Sequence, residues 1–214
     1  MTIENMARLE KLMELGRTFK AFLYDCDGTL ADNMPAHKET YFRVAWGEGF
    51  KMDGSIVDEL AGLPVMKVVE EMNRRYGTSF DPVVFNELKY RLFLDEYVDR
   101  TPPVEFVVEH LRRHSRTARI AVVSGSKRIA VERTLKVLDI AHLVDVVVAA
   151  EDTHLGKPYP HPFLKAAALL DVDPKECLVL EDGDAGIRAA KAAGMNWVRI
   201  DRLDQPGNYA GFIA

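Results

Sequence analysis

A chain of 214 residues has room for one sizeable core, or for one core with a smaller module attached. With 48% hydrophobic and 29% charged residues its composition is that of a soluble globular protein, and no apolar run is long enough to cross a membrane. The net charge of −5, with lysines and arginines spread along the chain, argues against nucleic acid as the main partner.

The N-terminal stretch carries Glu4, Arg8, Glu10, Lys11 and Glu14, so it lacks the apolar centre of an export signal. Ile3, Met6, Leu9, Leu12 and Met13 recur at helical spacing and predict a short amphipathic helix laid on the body. Then comes Phe22-Leu-Tyr-Asp25-Cys-Asp27-Gly28-Thr29-Leu30. The apolar run reads as a buried strand, with Gly28 as its sharp exit. Strand alternation would put Asp25 and Asp27 on the same side of its end. Two carboxylates that close repel, unless a cation sits between them or one keeps its proton. The stretch is therefore either a cation site on a strand end or a boundary built from ordinary turn residues.

From residue 34 to 101 the pattern is helical. Pieces at 37–46, 55–60 and 64–76 are separated by Gly47, Gly49, Gly54, Gly62 and Gly77, and Asp81-Pro82 opens a longer helix reaching about residue 98. No strand pattern interrupts them. This reads as a helical module, 34–101, inserted into a body made of 1–33 and 102–214. Tyr41, Phe42 and Trp46 are expected in the core of that module.

Thr101-Pro102-Pro103 stiffens the return. Helices and strands then alternate: helix 104–114, strand 118–123, helix 128–138, strand 145–149, helix 162–170, strand 176–180, helix 185–193 stopped by Gly194, and strand 196–200. Such alternation predicts an α/β fold, a Rossmann-like parallel sheet covered on both faces. In these sheets ligands bind beyond the carboxyl ends of the strands. Those ends carry Asp25 and Asp27, Ser124, and Glu181 and Asp182, and the loop after the 145–149 strand brings Lys157. Cys26 and Cys177 each fall at an apolar strand without metal-type spacing, which suits reduced core thiols in a cytoplasmic protein.

Four acids form a hard oxygen cage of the kind Mg²⁺ prefers. A hydroxyl and a lysine beside them can donate to phosphate oxygens. Together these are the parts of a phosphoryl-transfer site, where one aspartate can attack phosphorus and the other can move protons. Each residue also has a plainer reading. Ser124 could cap the next helix, Lys157 could be a solvated loop charge, and His37 could be a surface histidine. Asp184 is assigned to a helix N-cap.

In order and spacing, Asp25-Cys-Asp-Gly-Thr-Leu-Ala-Asp32, Ser124, Lys157 and Glu181-Asp182 resemble the four motifs of the haloacid-dehalogenase superfamily. The inserted module looks like the helical cap of its β-phosphoglucomutase and sugar-phosphatase branch. The resemblance implies that Asp25 is the nucleophile and a Mg²⁺ ligand. It makes Asp27 the general acid/base, with its backbone carbonyl on the metal. Ser124 and Lys157 would hold the phosphoryl group, and Glu181 and Asp182 the metal. Thr29 and the amides near Cys26 and Gly125 would add phosphate contacts, His37 and Gly62 would face the substrate, and Asp32 would be structural.

The chain departs from the family pattern at three places. Gly183 stands where a serine is usual, and His161 where an acid commonly supports the motif lysine. Ala61 and Val65 stand where the mutase carries a lysine and an arginine, with Lys67, Arg74 and Arg75 as the nearby substitutes. A mutase must hold a second phosphate and needs cations for it. The expected activity is therefore Mg²⁺-dependent hydrolysis of a small phosphorylated metabolite, a sugar phosphate, ahead of a phosphomutase. A phospho-acceptor signalling protein and a non-catalytic metabolite-binding protein rank lower. A monomer is expected.

Overall fold

The computed structural model describes residues 1–60, 62–205 and 207–210. Helix α1 (Ile3–Leu15) starts at Thr2, whose hydroxyl accepts the N–H of Asn5 at 3.2 Å. Strand β1 (Ala21–Tyr24) follows and is buried along its whole length. Next come the helices α2 (Met34–Gly47), α3 (Ser55–Glu59), α4 (Val65–Tyr76) and α5 (Pro82–Glu96). The Asp81 carboxylate caps α5 by accepting from Val83 and Val84 N–H, and Pro82 occupies its first turn, as the sequence predicts. The chain then alternates through α6 (Glu105–His114), β2 (Arg119–Val123), α7 (Arg128–Val137), β3 (Val146–Val148), α8 (His161–Leu170), β4 (Cys177–Glu181), α9 (Asp184–Ala192) and β5 (Asn196–Arg199). A two-residue strand β6 (Tyr209–Ala210) closes one edge.

The sheet order is β3-β2-β1-β4-β5-β6, parallel except for β6. Central position explains the unbroken apolar run of β1, since both faces must be covered. Phe22 and Tyr24 face a layer with Leu12 of α1 and Phe106 and Leu111 of α6. Ala21 and Leu23 face Phe163 and Ala167 of α8 and Ala190 of α9. Helices α2 to α5 pack about their own cluster, including Tyr41, Ile56, Met72, Phe85 and Phe93, and Ala130 of α7 enters it from the body. This inserted block of helices is called the cap below. The chain leaves and re-enters through paired segments: Asp32 N–H donates to the Pro102 carbonyl at 2.9 Å, and Val104 N–H to the Leu30 carbonyl at 2.9 Å.

Several local expectations are corrected. β1 ends at Tyr24, so strand alternation does not place Asp27. The Asp25 N–H extends the ladder to the Leu180 carbonyl at 3.0 Å. The chain then turns tightly, the Cys26 carbonyl accepting from Leu30 and Ala31, with Gly28 at φ +88°. That turn, with a left-handed residue only glycine adopts freely, brings Asp27 to the same cavity that Asp25 lines. Asp184 is the first helical residue of α9 rather than its cap, which is Gly183, and its carboxylate pairs with Arg199 on β5. Trp46 is 67% exposed, not in the cap core, whereas Tyr41 is buried. The buried stripe of α2 runs His37, Thr40, Tyr41, Val44 and Ala45. At about 100° per residue, position 46 falls opposite the centre of that stripe. Cys26 and Cys177 are both buried free thiols. Among the described residues, no helix is long and apolar enough to cross a membrane.

Candidate active site

The strand ends converge as the topology requires. Lys157 reaches in from the loop before α8, and its Nζ donates to Asp25 Oδ1 at 2.5 Å, to Glu181 Oε1 at 2.6 Å and to the Val123 carbonyl at 2.9 Å. An ammonium has three hydrogens, so this one is fully satisfied although almost wholly buried. Glu181 Oε2 accepts the Gly183 N–H at 2.8 Å, and Thr29 Oγ1 donates to Asp182 Oδ1 at 2.8 Å. Two glycines make the room. A β-carbon on Gly186 would lie 1.7 Å from Glu181 Oε1, and one on Gly28 would lie 2.2 Å from Asp182 Oδ2.

Asp25, Glu181 and Asp182 each bring a carboxylate oxygen within 4.8 Å of the others. Three acids against one buried ammonium leave excess negative charge. Burial, opposed by Lys157 and reinforced by the neighbouring acids, pushes the Asp25 carboxyl well above its usual range. Burial and then the Glu181 charge push Asp182 up to about 7. Burial alone would lower Lys157, but the Asp25 and Glu181 carboxylates outweigh it and hold the ammonium above its ordinary value. An all-oxygen cage with surplus negative charge fits a hard divalent cation.

Asp27 belongs to a second group. Its Oδ1 accepts from Asn33 Nδ2 at 2.6 Å and lies 3.1 Å from His37 Nε2, and its Oδ2 accepts from Ser126 Oγ at 2.5 Å. Burial would raise this carboxyl, but the neighbouring His37 and the hydrogen bonds from Ser126 and Asn33 outweigh it and hold it well below the usual carboxylate range. His37 stacks on Phe93 of α5 with ring centroids 4.2 Å apart, and its Nδ1 lies 2.5 Å from Lys89 Nζ. A donor at Nδ1 leaves Nε2 as the N–H that faces Asp27. Burial pushes the Lys89 amine down to about 7.

Between cap and sheet lies a cavity of about 60 Å³, to which the acidic cage contributes Asp25 and the second group Asp27, His37, Lys89 and Ser126. Its floor is Asp25, Asp27, Ser124, Gly125 and Ser126, and its roof includes Val57, Leu60, Leu63, Val65 and Val68. Among the described residues lining it, Lys89 is the one lysine or arginine. The cap is drawn close: a β-carbon on Gly125 would sit 2.8 Å from the Gly62 carbonyl oxygen, and one on Gly156 3.1 Å from Pro64. Ser124 Oγ accepts the Ser126 N–H at 3.0 Å, which leaves its own proton free to donate into the cavity.

The model of the haloacid dehalogenase-like hydrolase family matches residues 19–194. The chain belongs to this family. The fructose-1-phosphate phosphatase YqaB of Escherichia coli is 31% identical over 185 residues, covering 86% of this chain and 98% of that protein. The β-phosphoglucomutase of Bacillus subtilis is 29% identical over 188 residues, covering 82% of this chain and 80% of that protein. A hydrolase of Pseudomonas syringae has a solved structure that matches with a TM-score of 0.77 at 20% identity, covering 84% of this chain and 83% of that one, a likeness of fold.

In this haloacid dehalogenase-like hydrolase, Asp25, Asp27, Ser124, Gly125, Lys157, Glu181 and Asp182 meet at one edge of the sheet. Thr29 does not face the cavity. It is fully buried and donates its hydroxyl to Asp182. His37 is buried against Asp27 rather than on the surface, and Gly62 lines the cavity. Lys157 does not lack support for want of an acid at 161, because Asp25, Glu181 and the Val123 carbonyl hold it. Val65 lines the roof, while Ala61 lies outside the described residues. Lys67 pairs with Glu70, Arg74 with Glu71, and Arg75 with Glu59 and Glu71, all away from the cavity lining.

Four residues escape the sequence reading: Asn33, Lys89, Tyr90 and Ser126. Lys89 had a legible signal, since it falls midway between Phe85 and Phe93 on the buried face of α5, where a lysine is out of place without a task. Asn33 and Ser126 act through a turn whose shape no periodicity reports.

Proposed function

We propose that the chain is a phosphatase that hydrolyses a small phosphomonoester, a sugar phosphate, by way of a covalent phosphate on Asp25. The observation that carries this reading is the division of labour between the two aspartates. Asp25 is clamped to Lys157 within the acidic cage, and Asp27 is held apart by neutral donors and the His37–Lys89 pair. An oxygen of Asp25 attacks phosphorus, and the bond to the leaving alcohol breaks. Lys157, the Ser124 hydroxyl and the Gly125 amide receive the charge on the phosphoryl oxygens. Asp25, Glu181, Asp182 and the Asp27 backbone carbonyl would hold Mg²⁺, which supplies the positive charge that lets a carboxylate approach a phosphate dianion.

Asp27 protonates the leaving oxygen and then takes a proton from water, whose oxygen attacks the phosphoryl-Asp25 and frees inorganic phosphate. Held ionised by its donors, Asp27 needs a proton source. His37 Nε2 is 3.1 Å away, and Lys89 stands behind it at 2.5 Å from Nδ1. The three make a line from the cap to the leaving group. The apolar roof and single lysine suit a leaving group without a second phosphate. That favours hydrolysis over the phosphomutase alternative, which the Bacillus subtilis relative keeps in view.

The test is a phosphomonoester panel with Mg²⁺, scored for inorganic phosphate. Wild type should release phosphate, and Asp25→Asn should lose at least about a thousandfold while remaining folded. Full activity in Asp25→Asn would sink the mechanism. Activation by a sugar bisphosphate, with phosphate retained in the product, would move the assignment to the mutase.

A further inference from the structure

The cavity over the sheet edge has two unlike walls. One is polar, with His37 and Lys89 of the cap above Ser124 and Ser126. Lys89 is almost wholly buried, and its Nζ has one hydrogen-bond partner among the described residues, His37 Nδ1 at 2.5 Å. An amine that has made one such bond keeps hydrogens for a ligand. The other wall is aliphatic: Val57 of α3, Leu60 and Leu63 of the loop after it, and Val65 and Val68 of α4.

The aliphatic wall has little to offer a hydroxyl. None of its five side chains carries a polar atom. The amides of Val57, Leu60, Leu63 and Val68 are spent inside the cap, on the carbonyls of Gly54, Ile56, Leu60 and Pro64 at 3.1, 3.0, 3.1 and 3.3 Å. The loop of this wall also lies against the phosphoryl site. A β-carbon on Gly62 would fall 3.7 Å from the Ala185 β-carbon and 4.0 Å from Lys157 Cδ, and one on Gly125 would fall 2.8 Å from the Gly62 carbonyl oxygen. A leaving group esterified to that phosphate therefore meets the wall with its own carbons. A hydroxyl turned toward it would give up water and find no side-chain partner. A bare carbon in the same place loses no hydrogen bond and gains burial.

We infer that the leaving group is a deoxy sugar, held with its hydroxyls toward Lys89 and a bare methylene or methyl carbon against Val57, Val65 and Val68. This rests on the phosphatase reading and names the substrate class within it: deoxy-sugar phosphates ahead of their fully hydroxylated parents. The selection is a ratio and not an exclusion, because an apolar pocket rejects one added hydroxyl by about a hundredfold at most. The parameter that reports it is kcat/KM, compared between two esters on the same enzyme, so that a variant's general loss of activity cancels.

The experiment takes the best fully hydroxylated sugar phosphate of the panel and its monodeoxy analogues, one for each hydroxyl removed, and measures kcat/KM with Mg²⁺. In wild type at least one analogue should exceed the parent by about tenfold or more. Val65→Thr and Val68→Thr, singly and together, put a hydroxyl on the wall at nearly unchanged volume, and the double variant should shrink that ratio by at least about fivefold. Should the double variant fail to fold, Leu63→Asn decides: it stands in a loop, is only half-buried, and must shrink the ratio in the same way. A parent preferred over every analogue would overturn the proposal. So would a deoxy preference that neither the threonines nor Leu63→Asn changes, since the wall would then not be what reads the leaving group. A wild type that releases phosphate from none of the esters would bring down the phosphatase reading itself, a result distinct from either.

Discussion

Lys157 gives all three of its hydrogens to acceptors in the acidic cage. Lys157→Met would keep the bulk of the stem and strand Asp25 and Glu181 as buried charges. Breaking such a pair costs about 3–5 kcal/mol. The variant should lose phosphate release and unfold at a lower temperature, and Mg²⁺ should recover part of the temperature loss because it offsets the same charge. A variant whose unfolding temperature ignores Mg²⁺ would contradict that account of the cage. Gly186→Ala probes the same place by volume, since its β-carbon would fall on Glu181 Oε1. Its Mg²⁺ activation constant should rise, by about tenfold if one ligand is displaced. An unchanged constant would mean Glu181 is not needed by the metal. At this scale the sequence was informative where chemistry coincides with topology: Asp25, Ser124, Glu181 and Asp182 stand at strand ends, and parallel order forces strand ends together. It was uninformative about who bonds to whom. Thr29 serves Asp182, and Ser126 serves Asp27, because of a turn that closes through Gly28.

Among elements, the cap loop and the loop after β2 meet at two glycines. Gly62 needs its glycine for φ +85°, whereas Gly125 needs it only for space, its missing β-carbon lying 2.8 Å from the Gly62 carbonyl. Gly125→Ala should therefore fold normally and hold the cap loop off the site. The expected result is a KM raised several-fold for the preferred ester, with the unfolding temperature little changed; an unaltered KM would show that this contact does not govern closure. The helices of the cap were readable from period and caps because α4 and α5 each bury one stripe and begin at Pro64 or Asp81-Pro82. Trp46 shows that an aromatic is not core by type alone, since it lies opposite the buried stripe of α2. β6 is not legible in the sequence because two residues carry no periodicity, and only their pairing with Trp197 and Val198 makes them a strand.

On the scale of the whole molecule, two buried clusters pull stability with pH in opposite directions. On the α1 side of the sheet, the Tyr24 hydroxyl is 2.8 Å from His110 Nδ1, while His110 Nε2 is buried without a hydrogen-bond partner among the described residues. Burial, with the nearby His114 second, holds His110 well below its ordinary value of 6.5, and burial lowers His114 as well. A depressed histidine leaves the unfolded chain binding more protons at mildly acid pH, so its contribution is present above about 6.5 and lost as pH falls. The acidic cage has the other sign. Asp182, raised to about 7, favours the folded state at low pH and loses that contribution as pH climbs through 7. Saturating Mg²⁺ should keep the cage ionised and remove its slope, leaving the histidines exposed to measurement. Chemical denaturation in Mg²⁺ between pH 7 and 5 should then show stability falling toward acid, by at most about 1.4 kcal/mol per pH unit for each proton taken up on unfolding. His110→Gln retains an acceptor for Tyr24 and cannot titrate. Its curve should be flatter than wild type over the same range, and a slope equal to wild type would show that His110 is not the group that charges when the sheet opens.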